Sequence, residues 1–573
     1  MKLPVSVLVV VHTAELEVLL LERAARPGFW QSVTGSLDIP EERLEAAAAR
    51  ELGEETGIDA ARGSLSRWNV AYTFEIYAQW RHRFAPGVTH NTEHLLSLEL
   101  PRRSPVTLAP QEHTAFEWLP WREAARKCFS WSNRDAILLI GAALLAAGCA
   151  TSDQRLAAHL ESAPDEAREC ADWVRALDAE VDAAGVRDAQ YARVPDFPHL
   201  RLDRLHASLR DRAERDDEAL RTFAARLAGL DLESRRHEIR NLAALNQTAR
   251  DQMLRRLLDC ATHLRRAALA SPQARAALLA AARVPDDYSS ARRWEKDALA
   301  AFRGEAAPAA NRVRFAPPVA PLVPREVVGG ILARGTLDPL GHPSLSEREL
   351  GQLAAAYAPS FEVEISGDQD RFGRVRWGRA AAGGAPEVDA AQPTVYVQAA
   401  YTRYRQHVLL QLVYTIWFAA PLDGLVWRVT LAPDGEPLAY DSIQACGSFH
   451  AVYPTARARP KSPPNQLDEE VFVAQPLARV AEGERPVVMI AAGTHYLRRV
   501  ELVRGADSLV RYAFRAYDEL RSLPRAGAQS AGIFGREGLI SGTTMRQWGK
   551  QATAPGRHFD DADLFERRFT FDL

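Results

Sequence analysis

The sequence predicts a multidomain chain: an N-terminal α/β/α sandwich over residues 1–140, an all-α helical region over 154–305 and a β-rich α+β domain over 326–573. Three observations predict it. A length of 573 residues exceeds what one hydrophobic core serves. The spacing of apolar residues changes along the chain, from short β-branched runs with one acidic helix, to helical spacing, to period two. An apolar junction at 136–153 and a proline-rich linker at 306–325 mark where the regimes change. With 47% apolar and 25% charged residues the composition is that of globular protein. A formal net charge of -3 gives no bulk attraction to nucleic acid or anionic membranes, and no nucleic-acid partner is expected. Cys128, Cys149, Cys170, Cys260 and Cys446 show no CxxC spacing, which argues against a thiolate zinc site. Residues 1–11 are short and strand-like, not a signal peptide.

In chain order, the runs at 4–11 and 17–22 are β-branched and apolar around a polar turn, and read as paired strands. Further strands are expected at 70–78, 93–100 and 116–119, with a helix over 42–55 and a closing helix after Trp131. The 42–55 helix carries Glu51, Glu54 and Glu55 at i, i+3 and i+4, so all three carboxylates share one side. Like charges so placed repel, and a hard divalent cation with oxygen ligands would offset that repulsion. The plain alternative is a solvated acidic face. Gly35 after a strand-like run, Arg50 beside the carboxylates and Gly57 at the helix end favour the cation.

The stretch Gly35–Ile58 resembles the Nudix box. Its core, Arg50-Glu51-Leu52-Gly53-Glu54-Glu55-Thr56-Gly57-Ile58, matches throughout. The front half holds one extra residue, so either Glu41 or Glu42 fills the position of the loop glutamate. Around the box, Phe29–Ser36, Phe74–Tyr77, Arg81–Thr89, Asn91–Glu93 and Ser130–Arg134 resemble, in the same order, the branch of Nudix hydrolases that acts on pterin triphosphates in folate synthesis. The resemblance implies a magnesium-dependent pyrophosphohydrolase, with Mn²⁺ as an alternative ion and a small-molecule pterin triphosphate as substrate. It implies Glu51 and Glu55 as metal ligands, with Glu112 completing the site or acting as base. Arg50 and Glu54 join the catalytic group, and Glu54 or Glu112 takes the proton of the attacking water. Lys2, Arg23, Thr34, Phe74, Glu75, Ile76, Tyr77 and Ser130 would line the substrate. The charges of Lys2 and Arg23 suit a triphosphate, although isolated cations are ordinary on any surface. His82 and His113 are read as structural histidines. The runner-up substrate is a (deoxy)nucleoside triphosphate.

Residues 136–148 form an apolar run of 13 residues ending before Cys149. It is too short to span a bilayer comfortably. Two readings stand: the last helix of the first domain, or a segment that resembles a lipoprotein signal with Cys149 as the lipidated residue. On the second reading this is a fusion whose C-terminal half faces the envelope, and a membrane is a partner only if Cys149 is lipidated. The first domain itself is expected in the cytoplasm.

Beyond the junction, Leu202, Leu205 and Leu209, then Leu220, Phe223, Leu227 and Leu230, then Leu254, Leu257, Leu258, Ala261 and Leu264 recur at helical intervals. Strands are expected at 394–398, 408–418, 425–431, 486–492 and 500–503, interrupted by loops at 379–393 and 455–466. Asp441, Cys446, His450, Tyr453 and His495 could be imagined as a Cys/His or metal cluster, but no spacing among them is diagnostic.

Overall fold

The computed structural model describes residues 2–147 except 14, 15 and 77, and residues 163–573 except 244, 283–310, 319–324, 379–383, 420–421, 448, 462–471, 482, 505–509, 526–528, 537, 542, 544, 546 and 549–563. The chain divides into two compact units, Met1–Ser152 and Asp153–Leu573.

In the first unit a mixed sheet is built from β1 (Val5–Thr13), β2 (Glu17–Arg23), β3 (Trp30–Gln31), β4 (Val33–Ser36), β5 (Ser64–Glu75), β6 (His90–Leu100) and β7 (His113–Pro120). The order is β3-β2-β1-β6-β5, with β4 also on β1 and β7 on β2. The centre is β1, parallel to β6 and antiparallel to β4. Its continuous run Val7–Val11 is at most 1% exposed, as a strand covered on both faces requires. Alternation divides that run between two cores. Val7, Val9 and Val11 pack with Ala47, Ala48 and Leu52 of α1 (Leu44–Thr56). Leu8 and Val10 pack with Trp121 of α2 (Trp121–Lys127) and Ala136, Ile137 and Ile140 of α3 (Trp131–Ala147). The apolar run that begins at 136 is thus helical through Ala147, and its first turns are core. Cys149 lies outside the described residues. Among the described residues, no helix is long and apolar enough to cross a membrane.

The second unit corrects three expectations. The middle region is not purely helical. After the helix Asp165–Ala183, the strands Ala192–Val194 and Phe197–Leu202 form a hairpin, so Leu202 ends a strand and does not begin a helical stripe. The positive φ of Asp196 and the prolines around it close that turn. The long helices are Asp217–Asn241 and Gln247–Ala268, and Leu220, Phe223, Leu227, Leu257 and Leu264 are buried as their spacing implied. Leu258 is instead 47% exposed. The proline-rich stretch is not only a linker: Arg312–Ala316 is a strand paired with Ser360–Glu364 inside a five-stranded sheet. The two expected loops each contain a strand, Pro386–Asp389 and Ala458–Pro460.

The main sheet of this unit has seven strands, and Thr394–Tyr404, His407–Phe418, Asp423–Leu431 and Pro437–Gln444 pair antiparallel in sequence order. Buried arginines hold the helical and β parts together. The guanidinium of Arg521, 2% exposed, donates to Asp188 at 2.6 and 3.1 Å, and also to Glu233 and Asp518. Burial would raise the Asp188 carboxyl, but the Arg521 charge overrides it and holds the group at about 2. Arg201 and Arg235, both fully buried, share Asp231 and reach Glu238 and Asp178. A disulfide joins Cys170 to Cys260, 90 residues apart. Of the residues singled out between 441 and 495, Asp441 accepts from Arg428 at 2.9 Å and faces His450, while His495 sits between Asp423 and Asp370 and stacks on Phe418.

Removing one partner of a buried pair leaves the other charge uncompensated. Arg521→Leu should lower the stability of the second unit by about 3–5 kcal/mol, read from urea unfolding of the full chain by tryptophan fluorescence. A loss below about 1 kcal/mol would show that Asp188 is satisfied without it.

Candidate active site

The site grows from the join between β4 and α1. Val33 and Leu37 are buried anchors, and the backbone between them brings Gly35 against the helix. A Cβ on Gly35 would stand 1.8 Å from the Glu51 carboxyl carbon, so any other residue displaces that carboxylate. At the far end Gly57 takes φ +68° and its N–H donates to Gly53 O at 3.0 Å, closing the helix. Ile58 and Leu52 hold this turn in the core.

Arg50 organises the acidic face. Its guanidinium donates to Glu42 Oε1 at 3.1 Å, to Ser36 O at 3.0 Å, to Glu51 Oε1 at 2.8 Å and to Glu54 Oε2 at 3.3 Å. The second oxygen of Glu42 accepts from the Asp38 backbone N–H at 2.7 Å. Glu42 therefore holds the loop, and Glu41 is exposed. The extra residue is absorbed ahead of Glu42. Arg50, expected in the catalytic group, has a positioning geometry: it ties loop to helix and orients Glu51.

Glu51 is 9% and Glu55 3% exposed. Burial pushes the Glu51 carboxyl up to about 7; Arg50 opposes this, and the charges of Glu55 and Glu54 add to it. Burial also raises Glu55, against His113 and the Thr34 backbone N–H, which favour its ionised form. Glu55 Oε2 is buried with no hydrogen-bond donor among the described residues. His113 Nε2 lies 3.3 Å away without hydrogen-bond geometry. Potential ligand atoms of Glu55, Glu112 and His113 fall within 4.8 Å of one another. Oxygen-rich, anionic and short of donors, this set fits a hard divalent cation. The sequence reading of His113 as structural is incomplete: its ring, 2% exposed, lies inside the cluster. The one signal for it was its adjacency to Glu112.

The remaining candidates spread around this centre. Arg23 ends β2 and pairs across the sheet with His113, beside Glu112. Thr34 lies on β4, where Gln31 donates to its hydroxyl at 3.1 Å. Lys2 is exposed, and its backbone bonds to Arg83 O. Phe74 is half-buried opposite Asn91, and Ile76 is buried with its N–H on Thr89 O. Tyr77 and the side chain of Glu75 lie outside the described residues.

Ser130 leads to a second buried carboxyl. Its hydroxyl is 2.8 Å from that of Ser132, which donates to Glu93 Oε2 at 2.7 Å. Glu93 is 6% exposed, and burial pushes it up to about 7. Beside it, Asn91 donates to Ser6, and Asn133 accepts from the Ser32 N–H. Trp131, 42% exposed, meets Tyr72 edge to face at 5.5 Å. The sequence assigns Glu93 no role: its burial depends on Ser132, 39 residues away.

Residues 2–139 match the NUDIX domain family. The dihydroneopterin triphosphate diphosphatase of Escherichia coli K12 is 45% identical over 139 residues, which are 24% of this chain and 91% of that protein. The enzyme of the same name from Haemophilus influenzae is 36% identical over 135 residues, 23% of this chain and 84% of that protein. The solved structure of the E. coli dihydroneopterin triphosphate pyrophosphohydrolase aligns at 45% identity over 24% of this chain and 93% of that one, with a TM-score of 0.23. Through this region the chain belongs to the Nudix family, and its first unit is a pyrophosphohydrolase.

Proposed function

We propose that the first unit hydrolyses dihydroneopterin triphosphate to dihydroneopterin monophosphate and pyrophosphate, a step of folate synthesis, with Mg²⁺ as the working ion and Mn²⁺ as a substitute. The observation that carries this reading is the pairing of an acidic helix with a separate buried carboxyl, Glu93, beside exposed aromatic residues. Glu51 and Glu55, with Glu112 beside them, would hold the cation. Bound there, it would neutralise phosphate oxygens and lower the pKa of a water. Arg50 keeps Glu51 turned to that task, and Arg23 and Lys2 add positive charge for the phosphates. Water attacks phosphorus, its proton passes to Glu54 or Glu112, the two exposed carboxylates, and the P–O bond to the departing pyrophosphate breaks.

Glu93 reads the pterin. An ionised carboxylate accepts two parallel N–H bonds, and the amino-pyrimidinone edge of a pterin offers such a pair. Ser132 already occupies one oxygen and fixes the carboxyl plane. Trp131, with Phe74 and Ile76, supplies apolar surface for the ring system. A nucleoside triphosphate is the competing substrate, and a substrate panel distinguishes the two.

One observation bears on the second unit. The Cys170–Cys260 disulfide belongs to a class of bond that persists in oxidising compartments. It supports the reading in which 136–149 is signal-like and 150–573 is an envelope-facing part. Non-reducing mass spectrometry of the native product tests this: a chain cleaved and lipidated at Cys149 with the disulfide formed is expected. An intact 63.4 kDa chain with both thiols free would overturn it.

For the hydrolase, Glu51→Gln and Glu55→Gln should keep the far-ultraviolet circular dichroism of the parent and lose activity by orders of magnitude. Chelation should abolish turnover, and added Mg²⁺ should restore it. Of Glu54→Gln and Glu112→Gln, the variant with the larger fall in kcat identifies the proton acceptor. Glu93→Gln should raise KM for the pterin substrate roughly tenfold or more while leaving turnover of nucleoside triphosphates unchanged. An equal effect on both substrates would remove Glu93 from pterin recognition.

The buried Glu93 also leaves a mark on stability. As pH rises from 4.5 toward 7 the unfolded chain ionises first, so the folded unit holds the extra proton and loses stability by up to roughly 3 kcal/mol. Glu51 and Glu55 act in the same direction. Glu93→Gln should show a shallower fall in unfolding free energy between pH 5 and 8, measured by urea titration.

A further inference from the structure

The second unit contains a cleft of about 840 Å³ between the 189–206 segment, the helix Asp217–Asn241, the 338–345 loop and the strand Thr394–Tyr404. It is separate from the hydrolase chemistry, since every lining residue belongs to 189–548.

Its wall holds a locked histidine. Asp203 caps the short helix Arg204–Ser208, and its Oδ1 accepts both the backbone N–H and the ring Nδ1–H of His206, each at 2.7 Å. A carboxylate can only accept from that nitrogen, so Nδ1 carries the hydrogen. Burial would raise Asp203, yet the His206 contacts hold it below the usual carboxylate range. His206 is 5% exposed, and its Nε2 has no hydrogen-bond partner among the described residues. Next to it stands His342, its ring 6.2 Å away and within 14° of parallel. His342 Nδ1 donates to Pro343 O at 2.8 Å, which leaves Nε2 as the acceptor. Burial, ahead of the Arg226 charge, lowers His342 to about 4, so it is neutral at neutral pH. Gln398 Oε1, also on the lining, is buried without a hydrogen-bond partner among the described residues.

Buried acceptors without donors are costly, and a ligand bringing O–H groups relieves the cost. Several charges of the wall are already matched: Arg226 donates to Asp338 at 2.9 and 3.0 Å, and Glu233 accepts from Tyr191 and Arg521. Tyr401, whose ring lies 4.1 Å from His342, and Trp548 add apolar faces. The volume is that of a small-molecule site.

We propose that this cleft binds a neutral, hydroxyl-rich ring, a saccharide unit, whose hydroxyls donate to His206 Nε2 and Gln398 Oε1 while its carbon face lies against the aromatic wall. The test is titration of the full chain with maltotriose, cellotriose and chitotriose, followed by saturation-transfer NMR and calorimetry. At least one probe should bind saturably, and both His206→Phe and Gln398→Leu should weaken it tenfold or more. Gln398 lies outside the Asp203–His206 pair, so its variant keeps the test valid if the His206 variant does not fold. Glu51→Gln should bind the probe as the parent does, which separates this site from the hydrolase. No binding by any of the three probes overturns the proposal, as does binding that survives both substitutions. Binding confined to a charged peptide or nucleotide overturns it as well.

Discussion

The chemistry of the first unit depends on one guanidinium. Glu51, Glu54 and Glu55 share a helix face where their charges repel, and two of them are buried, which adds desolvation to repulsion. Arg50 offsets both costs from within the same helix while binding Glu42 and Ser36 of the preceding loop. Loop and helix thereby become one body. The contact of Gly35 with Glu51 follows from it: the strand end must come close enough for the Ser36 carbonyl to reach Arg50, and only a residue without a side chain allows that approach. Burial outweighs Arg50 at Glu51 and outweighs His113 at Glu55, which is why both carboxyls remain raised. That residual charge cost is what a divalent cation would relieve.

The central strand distributes the work. Val7, Val9 and Val11 face α1 and the carboxylates it carries, whereas Ser6, Leu8 and Val10 face the side on which α3 lies. Ser6 is in register with Ser36 on one side and with Glu93 on the other. Ser36 and the buried carboxyl therefore stand two strand spacings apart, roughly 10 Å. The sheet lies between the α1 carboxylates and Glu93, and burial rather than mutual repulsion across it raises them. On the proposed function, an elongated substrate with a ring at one end and phosphates at the other would match that separation.

What could be read from the sequence was what local chemistry determines. The acidic helix announces itself through spacing and the core strands through their unbroken apolar runs, and these residues stand where expected. The choice between Glu41 and Glu42 could not be read, because it depends on which side chain Arg50 reaches across the loop. His113 and Glu93 matter through burial and through neighbours distant in the chain, Glu55 and Ser132, so neither carries a spacing signature. The same holds in the second unit. The strand Arg312–Ala316 hides in a proline-rich stretch because its partners, Ser360–Glu364 and Val510–Arg511, arrive from far downstream. Cys170 and Cys260 look unrelated in sequence, and only the packing of the helices Asp165–Ala183 and Gln247–Ala268 pairs them.

The two units treat buried charge in opposite ways. In the first, Glu55 keeps a buried oxygen without a hydrogen-bond donor among the described residues. In the second, arginines 201, 235 and 521 are almost fully enclosed and each is matched by two or more acidic groups, so the charge is structural. Buried pairs of this kind add little net stability against an apolar equivalent, but they penalise any arrangement that separates the partners. On the lining of the cleft, by contrast, His206 Nε2 and Gln398 Oε1 are buried without a hydrogen-bond partner among the described residues. The Asp203 contact fixes the ring of His206, so that nitrogen cannot turn to another neighbour, and a ligand with hydroxyls to donate would satisfy both acceptors.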